Sequence, residues 1–167
     1  MIKNPIIRPL ESDYILWKNH GEVINLFKNN HWIVDGNHQQ AINNIYSDST
    51  KKKVIGQLWF PKMLTDKQVQ KLNEKKNSVQ KWSNVLQDDM IVEHYLNGEI
   101  SSNTTMLKCP RLVFGKENKK LLNYEGYRYL GKFIFDHIDL KENARYYKFT
   151  GKVKSTSQPP LTKVSGL

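Results

Sequence analysis

The sequence predicts an α+β fold: a curled, mainly antiparallel β-barrel-like sheet with flanking helices. Three observations lead there. From about residue 85 onward, "MIVEHYL", "RLVFGK", "YRYLGKFIFDHI" and "ARYYKF" are short β-rich runs separated by "NGEISSNTT", "KENKKLLNYEG" and "DLKEN". That spacing suits an antiparallel sheet that curls or closes. Before residue 81, three segments carry helical signals. The length, 167 residues, suits one domain with its own core. We expect that domain to occupy residues 1–151, with 152–167 as a linker or frayed tail.

The elements follow in order. "EVINLFKNN" (22–30) places Val23, Ile24, Leu26 and Phe27 on one helical face. "HWIVDG" is a short apolar run ending in a turn signal. "NHQQAINNIY" reads as a second short helix, with Asn37 as cap and Ala41, Ile42, Ile45 and Tyr46 along one side. "VIGQLWFP" (54–61) is a strand stopped by Pro61. "TDKQVQKLNEKKNSVQKW" opens with a capping box, Thr65 with Gln68, and predicts a lysine-rich helix with a thin apolar seam. The β-rich half comes next. "KSTSQPPLTKVSGL" closes the chain without periodicity.

The charge is strongly basic, +10 overall. Residues 105–154 carry twelve basic against five acidic side chains, a net +7. An excess of that size favours a polyanionic partner, because each phosphate contact releases a condensed counterion. No apolar run reaches transmembrane length, and "MIKNPIIRPL" lacks the apolar core of a signal peptide. Cys109 is the single cysteine, which excludes an internal disulfide and fits a cytoplasmic protein.

Catalytic constellations are weak. The five histidines are dispersed, with no metal-binding spacing, so neither a metal nor another cofactor is expected. A small Mg²⁺-dependent nuclease would have to draw on Asp88, Asp89, Glu93 or Glu117, the last in a Glu–x–Lys step that a solvated hairpin tip also explains. Cys109 has no neighbouring base. "GYRYLG" has glycines, but no helix follows to bind phosphate. A third possibility is a protein-binding inhibitor module with a basic face. The aromatic residues stand out most. In a strand over 124–140, Tyr127, Tyr129, Phe133 and Phe135 share one face, with Arg128 and Lys132 on the other. The two phenylalanines read as core, and the tyrosines as a rim where a base can stack.

"CPRLVFGKENKKLLNYEGYRYLGKFIFD", a charged turn and then "ARYYKF" resemble the C-terminal hairpins of small PUA-like β-barrels. They are most similar to the SRA-like and EVE-like modules attached to bacterial modification-dependent restriction enzymes. The resemblance covers roughly residues 81–150. Tyr127 and Tyr129 match a Tyr-x-Tyr-Leu-Gly element, Arg111 begins the preceding strand, and Trp82 and Asn84 match an upstream Trp-x-Asn. It implies a non-catalytic, cytoplasmic module that binds double-stranded DNA, possibly methylated. Such a module flips a modified base of the 5-methylcytosine type into an aromatic pocket. A nuclease or NTPase would act from a downstream domain or subunit, without a membrane. On this reading Trp59, Trp82, Tyr127 and Tyr129 stack on the base, with Trp32 and Phe60 as further wall candidates. Asn84 and Asp89 read its edge, and Lys108, Arg111, Lys116, Lys119 and Lys120 hold phosphates.

Overall fold

The computed structural model describes residues 17–64, 71, 82–96, 98–103, 107–119 and 124–151, without the side chains of 117–119 and 124–125. The expected lysine-rich helix with its Thr65–Gln68 cap, the tail and Lys120 lie outside the described residues. The elements are α1 (His20–Asn29), β1 (Ile33–Val34), β2 (Ile42–Tyr46), β3 (Val54–Trp59), β4 (Trp82–Gln87), β5 (Met90–Tyr95), β6 (Arg111–Lys119), β7 (Tyr124–Asp139) and β8 (Ala144–Gly151).

Helix α1 begins at Asn19, whose side chain accepts from the Glu22 amide at 3.0 Å. It buries Val23, Ile24 and Phe27. It stops at Asn30, whose side-chain amide donates to the Leu26 carbonyl at 2.8 Å. The second expected helix does not form, since residues 42–46 are strand β2. Asn43, a buried residue, hides the two-residue period there. Its side chain takes the Asn37 amide at 3.0 Å and donates to the Gln40 carbonyl at 3.3 Å, so an asparagine stands where an apolar residue would signal a strand.

The strands form one sheet in the order β1-β2-β3-β6-β7-β8-β5-β4. Adjacent strands are antiparallel except the parallel pair β3–β6. The expected curled PUA-like barrel with flanking helices is therefore incorrect. The sheet is open and mixed, and α1 is the one helical element of more than a single residue among the described residues. Its edges are β4 and the two-residue β1, which is too short to close a ladder. The parallel step arises because the chain leaves β3, places β4 and β5 at the far edge, and returns beside β3, a crossover that parallel pairing requires.

Two apolar clusters lie on opposite faces. Leu58, Phe60, Leu112 and Phe114 join α1 in one; Trp59, Val113, Ile91, Phe133 and Tyr147 form the other. Residues 58, 59 and 60 alternate between them as a pleated strand must. The sheet bends around the second face. The Trp59 and Tyr147 ring centroids are 4.9 Å apart, although their strands are three steps apart and would be about 14 Å apart in a flat sheet.

Strand β7 changes faces midway. Phe114 pairs with Tyr129 but Val113 pairs with Gly131, so Leu130 is an extra residue. Gly131 adopts φ 128°, a conformation that L side chains rarely adopt, and an added Cβ would run into Phe149. Tyr127 and Tyr129 consequently face α1, whereas Phe133 and Phe135 join the opposite cluster. The expectation that all four rings share one face is corrected by this bulge.

Candidate functional site

The bent face holds a cavity of about 460 Å³. Trp59 and Lys62, at and just after the end of β3, line one side, with Arg111 at the start of β6. Trp82 and Asn84 of β4, Glu93 of β5 and Arg145 of β8 line the other. Residues 62–64 tie the two sides. Lys62 bridges to Lys116 of β6, Met63 bridges to Asn84, and the Leu64 amide donates to the Asn84 carbonyl at 2.9 Å.

Pleat and register explain why charged groups point inward. Glu93 shares its face with Ile91, and its cross-strand neighbours are Asn84 and Arg145. Arg111 shares its face with Val113. Its Nε donates to Gln57 Oε1 at 2.9 Å, and Gln57 in turn donates to Asn44 Oδ1 at 3.0 Å. The Arg111 guanidinium carbon lies 4.7 Å from the Trp59 ring centre and 4.8 Å from that of Tyr147. Arg145 lies 5.2 Å over Trp82, whose ring also packs on Tyr95 at 4.6 Å.

The carboxylate is the sole acidic group among the described residues lining the cavity. Burial pushes the Glu93 carboxyl above its ordinary range, against the opposing pull of Arg111 and Arg145. The Tyr147 hydroxyl donates to Glu93 Oε1 at 3.3 Å. Its pKa is pushed up to about 12, first by burial, with Glu93 adding to the rise and Arg111 opposing it.

Three buried polar atoms of the lining side chains have no hydrogen-bond partner: Asn84 Oδ1, Arg111 Nη1 and Arg145 Nε. Leaving each unsatisfied costs about 1–3 kcal/mol, and more for charged groups. Two donors and one acceptor therefore lie beside the rings of Trp59 and Trp82.

Of the residues singled out in the sequence, Trp59, Trp82, Asn84 and Arg111 meet in this cavity. Tyr127 and Tyr129 are buried on the helix side, and the Tyr127 hydroxyl pairs with His20 Nε2 at 2.8 Å. Trp32 and Phe60 also belong to the helix-side core, although Phe60 touches the cavity. Asp89 is exposed in the β4–β5 turn, so it does not share a site with Asn84. Lys108 is exposed and Lys116 half-buried; of Lys119 and Glu117 only the backbone is described, within β6. Asp88, like Asp89, is exposed, whereas Glu93 is buried in the cavity, so the three acids do not converge. No group of three His, Cys, Asp or Glu among the described residues can hold a metal ion. Sequence reasoning missed Lys62 and Arg145, and weighed Glu93 only as a metal ligand. The available signal was a charged residue at an inward position of each strand, two residues from Ile91 in one case and from Tyr147 in the other.

Fold and cavity together define a mixed-sheet domain whose bent face holds a cavity lined by Trp59, Trp82, Arg111, Arg145 and Glu93. The particular likeness is structural. The chain matches the 5-hydroxymethylcytosine-specific restriction enzyme AbaSI with a TM-score of 0.51 and 21% sequence identity. The match covers 84% of this chain and 40% of that one, so this chain spans less than half of that enzyme's length. At this identity the likeness shows the fold, which is thus related to that of a restriction enzyme. No family model and no curated protein matches the sequence. No described helix is long and apolar enough to cross a membrane.

Proposed function

We propose that this chain is the DNA-binding specificity module of a restriction system, and that its cavity receives a modified cytosine flipped out of the duplex. The observation that carries this reading is the convergence of Trp59, Trp82, Asn84 and Arg111 on one cavity with unsatisfied polar atoms. The structural likeness to an enzyme named for 5-hydroxymethylcytosine supports a base of the 5-methyl or 5-hydroxymethyl type. Flipping costs a few kcal/mol. Stacking returns about 1–3 kcal/mol per base, and each hydrogen bond to a charged group about 1.5–3 kcal/mol. Trp59 and Trp82 supply the stacking. Asn84 Oδ1 and the Glu93 carboxylate accept from the exocyclic amine, and Arg111 Nη1 donates to a ring or substituent oxygen.

Lys62 holds a phosphate at the mouth, and the wider excess of lysines, Lys108 and Lys116 among them, adds sequence-independent attraction to the duplex. Cleavage belongs to a nuclease or NTPase in another domain or subunit, in the cytoplasm where the DNA lies. The test is a binding titration on one duplex sequence carrying cytosine, 5-methylcytosine or 5-hydroxymethylcytosine. The expected result is at least a tenfold preference for one modified duplex, about 1.4 kcal/mol. Equal affinity for all three would remove the base-reading function.

A further inference from the structure

We infer that Arg145 is the positioning residue of this site: its guanidinium fixes the Glu93 carboxylate and the Trp82 ring in the arrangement that a base must enter. The inference rests on the base-reading proposal for its purpose, but its physical claim concerns the free protein.

Arg145 stands directly across the β5–β8 ladder from Glu93, and its Nη1 lies 3.8 Å from Glu93 Oε1. The same guanidinium covers the Trp82 ring at 5.2 Å. One planar cation therefore contacts a base-edge acceptor and a stacking wall, which belong to different strands. Its Nε makes no hydrogen bond, so the ring and the carboxylate set where the side chain lies. Arg111 also favours the Glu93 carboxylate, but among the described contacts it is Arg145 that covers the Trp82 ring. Arg111 is held by Gln57 and sits against Trp59 and Tyr147, at the other side of the cavity.

The charged and titratable groups facing Glu93 are Arg145 and Tyr147 from β8 and Arg111 from β6, with Lys62 lining the same cavity. Burial works against the carboxylate form, and the two arginines work for it. Removing Arg145 leaves burial less opposed. Protonation of Glu93, and with it loss of the acceptor, then sets in at higher pH.

Two measurements test this. The first follows the Glu93 carboxyl carbon by NMR against pH in the free protein. Arg145→Gln should move the midpoint upward by about one pH unit, the lower end expected for loss of an adjacent opposite charge. Arg145→Lys, which keeps the charge, should leave it near the parent value. The second is the pH profile of binding to hydroxymethylated duplex. Arg145→Gln should move the acid-side fall in affinity to higher pH by that same amount of about one unit and reach a plateau in more alkaline buffer, while Glu93→Gln should flatten the profile. Arg145→Lys should keep the parent's profile at reduced affinity, because an ammonium cannot lie flat on Trp82. An unmoved midpoint in Arg145→Gln, or a moved one in Arg145→Lys, overturns the inference. Should Arg145→Gln fail to fold, the lysine variant decides alone through its midpoint and profile. A parent protein that distinguishes no duplex at any pH would refute base reading while leaving the NMR result to judge Arg145.

Discussion

Trp82→Ala separates binding from folding better than any other change at the cavity. Trp59 is 2% exposed and belongs to the core, so its removal would confound the two. Trp82 is half-buried on the edge strand β4. Its described contacts are the Tyr95 ring at 4.6 Å and the Arg145 guanidinium at 5.2 Å. An aromatic pair contributes about 0.5–1.5 kcal/mol and a partly exposed cation–π contact about 0.5–1 kcal/mol. Both add to the apolar area that the half-buried ring removes from water, so the folding cost should be about 2–4 kcal/mol, measured by urea unfolding. A stacked base is worth about 1–3 kcal/mol, so affinity for the preferred modified duplex should fall roughly 5- to 150-fold. The assay is fluorescence anisotropy on labelled modified and plain duplexes, under conditions where the variant is fully folded. The loss should be much smaller for the plain duplex, and Trp82→Phe should recover most of the difference. Equal losses on both duplexes would mean that Trp82 touches only the backbone. No loss on either would refute stacking in this cavity.

Other outcomes follow from the same structure. With about five phosphate contacts, log K should fall against log salt with a slope near −4 to −5, and a slope near zero would remove the nucleic-acid reading. Phe133→Ala and Tyr129→Ala should each cost roughly 3–5 kcal/mol by chemical unfolding, because both rings are buried, one on each face; intact stability in Tyr129→Ala would contradict its burial. Burial holds the His20 imidazole below its ordinary value, beside the Tyr127 hydroxyl. The unfolded chain then binds the proton first, so stability is intact above the unfolded value of about 6.5 and is lost as pH falls from there through the folded value. Melting curves between about pH 7.5 and 5.5 should show that loss, and His20→Gln should lessen it.

The β-rich half was legible because its runs, such as "MIVEHYL" and "ARYYKF", are dense in β-branched and aromatic residues and separated by turn segments. Trp82 and Asn84 were singled out through the family resemblance, while the strand that carries them, β4, was not read from its own residues. The front half was harder. In β2 the inward Asn43 spends its amide on loop backbone, which makes a strand read like a polar helix. The open sheet with its parallel β3–β6 step depends on contacts between distant segments, to which local periodicity is blind. The tyrosines were assigned to the wrong face relative to Phe133 because a single unpaired residue, Leu130, inverts the alternation. Glu93 was weighed only as a metal ligand and Arg145 only as part of the basic segment 105–154, because their meeting depends on the pairing of β5 with β8.

That inversion makes β7 a counted length. The turn from β7 into β8 is fixed too, since the Asn143 side chain donates to the Tyr95 and Gly98 carbonyls and accepts from the Ile100 amide. Deleting Leu130 would restore a simple two-residue rhythm, carrying Phe133 and Phe135 to the helix side and bringing Lys132 and Ile134 round to the cavity side. Replacing Gly131 would strain the backbone at the same point. Relatives that keep both cores should therefore hold constant the spacing from Tyr129 to Phe133. A gap placed between those two residues in an alignment would mark either a different cavity or a misaligned strand.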